Sequence, residues 1–286
     1  MKILIWDPQN YKPMEMGLSF AEGLKKHNID FEFSADSHKH KEKFRNKKVD
    51  LLVHWGRTIK RANEVNLKYK NYLKAERAFF EDRYVWASYG FNGLNNRADF
   101  CNENMPSDRW EKYFNDGRMK EWNPKGDYIL LCEQIRGDSA LIYYQPNYTK
   151  IINDIQRHTD LPIYIKKHPK VWAKTEWHYD TKGVKILDKT VPINEAINKC
   201  KVVVSVNSNV GVDATLAGKP TIALDKGSMV WDLAEKNYDR INDDIPEPTN
   251  RMQWAYNMAY TQWLPDEVKN GETWEHLKKY YEVITK

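Results

Sequence analysis

The chain opens on an apolar run, KILIWD (residues 2–7), followed by MEMGLSFAEGLKKHN, in which Met16, Phe20 and Leu24 recur at helical spacing. IDFEF and VDLLVHWG then read as strands. Strand, helix, strand, strand is the opening of an open α/β sheet. Between Thr58 and Arg83 the pattern fits both helix and strand, and EVNLKYKNYLKAERAFF can supply each. From Ser88 to Trp122 the chain is rich in Asn, Asp, Gly and Arg, which predicts loops around a short helix at DRWEKYF. Pro and Gly in EWNPKGD (residues 121–127) mark a boundary.

Beyond that boundary the alternation is regular. YILLCEQ, LPIYIKKHP, VKIL, KVVVSVNS and KPTIALD read as strands; QPNYTKIINDIQRH, PINEAINKC and NVGVDATLAG read as the helices between them. Continuously apolar, β-branched strands alternating with helices predict a parallel sheet covered on both faces. TNRMQWAYNMAYTQW and GETWEHLKKYYEVI complete the chain as a helical tail. The expected domains are residues 1–124 and 125–250, with a tail, 251–286, packing across the two.

Composition narrows the class. At 41% hydrophobic and 30% charged residues, the 286-residue chain is a globular protein and not a disordered one. No apolar run reaches membrane-spanning length, and the opening run is interrupted too soon by Asp7 and Pro8 for a signal peptide, so a cytoplasmic location is expected. Cys101, Cys132 and Cys200 form no paired motif. The net charge of +5 is mild; its densest basic stretch, HKHKEKFRNKK (residues 38–48), fits a solvated surface as well as a polyanion contact. The His38 and His40 pair is too lysine-rich for a metal site, and neither HExxH nor clustered DxD occurs. No metal and no cofactor are expected.

The chemistry concentrates where strands end. VVVSVNSNVGVDATLAGKP sets Ser205, Asn207, Ser208 and Asn209 after an interior strand and before a helix. In open parallel sheets ligands sit beyond such carboxyl ends. Free N–H groups at the start of the following helix would favour an anion, with Gly211 and Ala214 keeping the helix slim enough for a phosphate to approach. Helix capping by Ser208 or Asn209 explains the same residues equally well. Neither a Walker motif nor GxGxxG is present. YIKKHPK adds Lys166, Lys167, His168 and Lys170 at a second strand end, and LCEQIRGDSAL adds Gln134, Arg136, Asp138 and Ser139 at a third. Three polar strand ends in one domain predict one ligand cleft.

In this order, LLCEQIRGDSA, KKHP and VNSNVGVDATLAGKP resemble the motifs of the capsular polysaccharide β-Kdo transferase family, with a weaker echo in YLKAERAFF and RYVWASYGFNGL. The resemblance implies two Rossmann-like domains facing across a cleft, as in GT-B glycosyltransferases, and a nucleotide-sugar donor held by the C-terminal domain. Gln134, Ser139, Lys167, His168, Ser205, Asn207, Ser208, Asn209 and Asp213 are then the donor-side residues. His168 and the Ser205–Ser208 turn would meet the donor phosphate, and Asp213 would hold the ribose or orient the turn. Arg77, Asn92 and Arg97 fall on the acceptor side. The family carries an acidic residue before a Gly where this chain has Asn92, which cannot act as a general base. Glu76 is therefore the first candidate for that role, ahead of Asp82, Asp99 and Asp7, and Asp138 is the second catalytic candidate.

The leading expectation is a nucleotide-sugar-dependent glycosyltransferase acting without a metal on a glycan. Hydroxymethylated pyrimidine DNA is the alternative acceptor, suggested by the basic stretch and by the 11 tryptophans and 17 tyrosines. A non-catalytic nucleotide-binding module and a nucleotide-sugar epimerase remain as other classes, and the oligomeric state stays open.

Overall fold

The computed structural model describes residues 1–7, 13–35, 48–55, 69–80, 82–170 and 176–284. Most of the basic stretch, residues 38–47, lies outside them, as do residues 56–68. Two units emerge: Met1–Arg109 with Ala255–Lys286, and Trp110–Trp254.

In the first unit, β1 (Ile3–Asp7), β2 (Phe31–Ala35), β3 (Leu51–Trp55), β4 (Tyr72–Arg77), β5 (Ala87–Phe91) and, from far along the chain, β11 (Gln262–Trp263) form a sheet ordered β11-β5-β4-β3-β1-β2. β1 runs parallel to both neighbours, Ile3 lying opposite Phe31 on one side and Leu51 on the other. β3 and β4 are also parallel. β5 is antiparallel to β4, and β11 is antiparallel to β5. The sheet is therefore mixed at one edge, because the short connection at residues 78–86 leaves no room for a crossover.

β5 itself falls where loops were expected. Its sequence, ASYGF, carries a glycine for a packing reason. A Cβ on Gly90 would stand 2.7 Å from Ala98 Cβ and 2.8 Å from the Phe100 ring. Asn92, just beyond, has φ 54°, a left-handed conformation that Asn tolerates better than most residues.

Helix α1 (Pro13–Lys26) covers one face of this sheet, burying Phe20 and Leu24 against Ile3, Ile5, Val53 and Leu73. The chain's last helices, α7 (Pro265–Lys269) and α8 (Glu272–Ile284), join the same core through Val268, Trp274 and Leu277. A Cβ on Gly23 of α1 would come within 2.2 Å of the Val268 carbonyl oxygen, so this close approach requires glycine. The C-terminal residues from Ala255 onward thus belong to the first unit's core, whereas a tail beginning at 251 had been expected.

In the second unit, β6 (Ile129–Cys132), β7 (Ile163–Lys166), β8 (Val184–Ile186), β9 (Val202–Ser205) and β10 (Thr221–Ala223) form a sheet ordered β10-β9-β6-β7-β8, parallel throughout. Helix α3 (Tyr148–His158) buries Ile151, Ile152 and Ile155 on one face against Val202 and Val204. Each such isoleucine contributes about 1.5–3 kcal/mol when fully buried. On the other face α4 (Ile193–Lys199) and α5 (Val210–Leu216) bring Ile197 and Ala214 against Leu130 and Val203. This is the doubly wound arrangement that the continuous apolar strands predict.

Helix α2 (Asp108–Tyr113) carries the chain into the second unit, and α6 (Arg251–Ala259) carries it back. The boundary therefore lies upstream of the expected one, because residues 120–125 are bonded to the turn between α5 and β10. Lys120 N–H donates to Leu216 O at 2.8 Å, and Asn123 N–H to Gly218 O at 2.7 Å. Lys219 Nζ donates to Lys125 O at 2.7 Å. Gly218 has φ +76°, and a Cβ there would stand 1.9 Å from the Glu121 carbonyl oxygen. The Gly-Lys-Pro turn is thus shaped by the segment that crosses it.

Candidate functional site

The strand order of the second sheet reverses between β6 and β9, and ligands of doubly wound sheets bind beyond the carboxyl ends at such a switch point. Gln134 follows β6 and Asn207 follows β9; both are buried. Gln134 Nε2 donates to Asn207 Oδ1 at 2.7 Å, and Asn207 N–H donates to Gln134 Oε1 at 2.9 Å. Asn207 Nδ2 reaches Ala140 O at 2.7 Å and Asp225 Oδ2 at 2.6 Å. One asparagine therefore ties together the loops after β6, β9 and β10. Gln134 and Asn207, both expected on the donor side, hydrogen-bond each other at this buried position. Ser139 and Ser205 are likewise buried.

Four further residues and their partners complete this edge. Trp177 Nε1 donates to Gln134 O at 2.6 Å, Lys167 Nζ pairs with Glu176 at 2.8 Å, and Tyr179 Oη donates to Glu133 Oε2 at 2.6 Å. Segment 176–179 is thereby fastened across the ends of β6 and β7. Burial pushes the Glu133 carboxyl above the ordinary carboxylate range, a shift opposed by the Tyr179 hydrogen bond and the Lys167 charge. Its Oε1 has no hydrogen-bond partner among the described residues. Glu133 and Asp225 were signalled in sequence, each being a carboxylate closing an apolar run; Trp177 and Tyr179 carry no such local signal.

His168 is half-buried after β7, and its Nδ1 accepts from Lys170 N–H at 3.0 Å. A neutral ring held this way carries its proton on Nε2, making that nitrogen a donor. The start of α5 differs from expectation. The N–H groups of Gly211, Val212 and Asp213 are bonded to the carbonyls of Ser208 and Asn209, and Val210 N–H reaches Ser208 Oγ at 3.3 Å. These donors are committed within the turn. Gly211 is slim for a protein neighbour: a Cβ there would stand 3.0 Å from Val230 Cγ2. Ala214 faces the core. Asn209 Nδ2 lies 3.4 Å from Asp213 Oδ1.

Asp138, the second catalytic candidate, accepts from Ala140 N–H at 2.8 Å and caps the short 3-10 turn Ser139–Leu141. Glu76, Arg77, Asn92 and Arg97 lie in the first unit. Glu76 is half-buried on β4 opposite Ser88, and Arg77 stacks over the Tyr84 ring at 4.5 Å. Asn92 Oδ1 accepts from Tyr72 N–H at 2.9 Å, and its Nδ2 donates to the Tyr280 hydroxyl at 3.3 Å. Arg97 ends a second 3-10 turn, Asn95–Arg97.

Cys132 and Cys200 are core residues, and burial pushes the Cys200 thiol up to about 12, away from thiolate chemistry. Among the described residues, no group of three or more His, Cys, Asp or Glu side chains is placed to hold a metal ion. No helix among them is long and apolar enough to cross a membrane.

Two α/β units, one a fully parallel doubly wound sheet with its polar groups at the switch point, define a GT-B-like protein. The chain belongs to the capsule polysaccharide biosynthesis protein family, whose model matches residues 74–251. That match begins at Lys74, so it takes in Glu76 as well as all three strand-end motifs. Two solved structures from Thermosulfurimonas dismutans KpsC share the fold. The β-Kdo 2,4 transferase is 14% identical with a TM-score of 0.55, over 90% of this chain and 89% of that one. The β-Kdo 2,7 transferase is 13% identical with a TM-score of 0.50, over 97% of this chain and 100% of that one. No curated protein sequence matches the chain.

Proposed function

We propose that the protein is a nucleotide-sugar-dependent glycosyltransferase that moves a sugar onto a hydroxyl of a growing glycan. The observation that carries this reading is the convergence of the loops after β6, β9 and β10 on Asn207 at the switch point, with His168 at the end of the neighbouring strand β7. Family membership in polysaccharide synthesis favours a glycan over DNA as acceptor.

In the reaction the acceptor oxygen forms a bond to the anomeric carbon as the bond from that carbon to the donor phosphate breaks. Charge builds on the departing phosphate, where the His168 Nε2–H and the Lys167 ammonium supply stabilisation. Glu76 takes the acceptor's proton as general base. The buried Gln134–Asn207–Asp225 network holds the loops in place, so no reorganisation is needed as charge develops. A metal ion has no assigned part in this scheme.

A thermal-shift panel of CMP, UDP, GDP, ADP and dTDP tests the proposal. A nucleotide present at a hundred times its dissociation constant adds about 2.7 kcal/mol. A selective rise with one nucleotide is expected, and CMP would extend the reading to a Kdo-like donor. A flat panel would remove the nucleotide-sugar assignment.

A further inference from the structure

The first unit holds a small cavity that the transferase scheme does not use. It lies between helix α1, the connection from β4 to β5, strand β11 and helix α7, and its volume of about 20 Å³ gives room for one water-sized group. Met16, Val85 and Val268 form apolar walls, and the Ser19 and Tyr89 hydroxyls add polarity. Trp263, opposite Ala87 across β5, also lines the cavity and is only 3% exposed. Arg109 covers one face of its indole, with the guanidinium 4.0 Å from the ring centre. The indole's single polar group, Nε1–H, has no hydrogen-bond partner among the described residues. A buried donor left unpaired is costly, so an oxygen that enters the cavity to accept from it is favoured.

Charge decides what that oxygen belongs to. The indole can only donate, which excludes an ammonium group. Among the described residues Glu15, exposed in the first turn of α1, is the one charged side chain lining the cavity, and its carboxylate disfavours an anion. A carbonyl oxygen would satisfy the indole and nothing else. A hydroxyl meets both groups, accepting from Nε1–H and donating to the carboxylate.

Tyr84 and Val85, which also line the cavity, are 49% and 42% exposed, among the few large apolar side chains so open to solvent. The Arg77 guanidinium lies 4.5 Å from the centre of the Tyr84 ring and holds it in place. A held, half-exposed aromatic ring beside a hydroxyl-sized polar cavity suits a ligand with an apolar C–H face and hydroxyl edges. We propose that this is a sugar site, in which one hydroxyl of a neutral sugar enters between Trp263 Nε1–H and Glu15 while the sugar ring lies against Tyr84. The site stands without the transferase reading, because neither a nucleotide nor Glu76 takes part in it.

The test is nuclear magnetic resonance of the whole protein carrying nitrogen-15-labelled tryptophan, with the Trp263 indole signal assigned by its loss in Trp263→Phe. Methyl β-glucopyranoside is titrated in the absence of nucleotide, with sodium glucuronate as the anionic counterpart. The glucoside should move the Trp263 signal saturably, and glucuronate should bind about tenfold more weakly or worse. Glu15→Gln, at an exposed position, should remove that discrimination while keeping glucoside binding. Tyr84→Ala should weaken the glucoside by roughly two- to tenfold. A Trp263 signal unmoved by either sugar would mean that the cavity holds water only, and would overturn the proposal. Equal binding of both sugars by the wild type, discrimination that survives Glu15→Gln, or unchanged glucoside binding in Tyr84→Ala would overturn it as well. A flat nucleotide panel beside intact glucoside binding would sink the transferase reading and leave this one standing.

Discussion

Gln134 and Asn207 exchange two hydrogen bonds across the switch point, side chain to side chain at 2.7 Å and side chain to backbone at 2.9 Å. Both residues are buried, so each bond is made where water cannot replace it. Gln134→Ala should leave the Asn207 amide oxygen and N–H unpaired, costing roughly 1–3 kcal/mol for each group. Urea unfolding of the variant checks this; unchanged stability would mean that the pair is not the brace described.

His168→Ala should leave the fold intact and weaken nucleotide affinity by about 1–3 kcal/mol, the scale of a hydrogen bond to a charged group. Titration of the best nucleotide from the panel reads it directly. Wild-type affinity in the variant would take His168 out of the site.

Glu76→Gln keeps the size of the side chain and removes its basicity. Turnover should fall by about 10²- to 10⁴-fold, with the nucleotide shift unaltered. A variant with normal turnover would move the general base to another carboxylate.

Lys219 is buried, and its ammonium bonds the Lys125 carbonyl, so it fastens the segment entering the second sheet. Lys219→Ala should lower stability by about 1–3 kcal/mol through the unpaired carbonyl and leave nucleotide binding per folded molecule unchanged. A stable variant that has lost nucleotide binding would contradict this structural role.

Glu133 makes stability depend on pH. Burial raises its folded-state pKa, so the unfolded chain releases this proton at lower pH than the folded one. The contribution to stability therefore falls as pH rises from the ordinary carboxyl value through the raised one. Glu133→Gln removes that loss while retaining an acceptor for Tyr179. The gain in Tm over wild type should be larger at about pH 8 than at about pH 4, on either side of the ordinary carboxyl range. A difference that does not vary with pH would show that Glu133 ionises normally.

Much of the second unit was legible because its strands are continuous apolar runs. A strand buried on both faces needs no partner-specific signal to be recognised. The polar residues ending those runs marked the switch-point edge for the same reason: polarity at the end of an interior strand is conspicuous. Strand β5 was missed because Ser88, Gly90 and Asn92 are turn-forming residues by composition. Only the close approach of Ala98 and Phe100 turns that glycine into a strand requirement.

What the sequence alone determined is local: the parallel α/β class, the strand-end positions of Gln134, His168 and Asn207, and the motif order that matches the family. Tertiary structure decided which of these groups face each other. Gln134 and Asn207 are far apart in the chain, and only the fold pairs them as a buried brace. The donors at the start of α5 are consumed by Ser208 and Asn209, and Asn92 is consumed by Tyr72. In each case the deciding quantity is a hydrogen-bond partner, which a polar residue's identity requires but does not name.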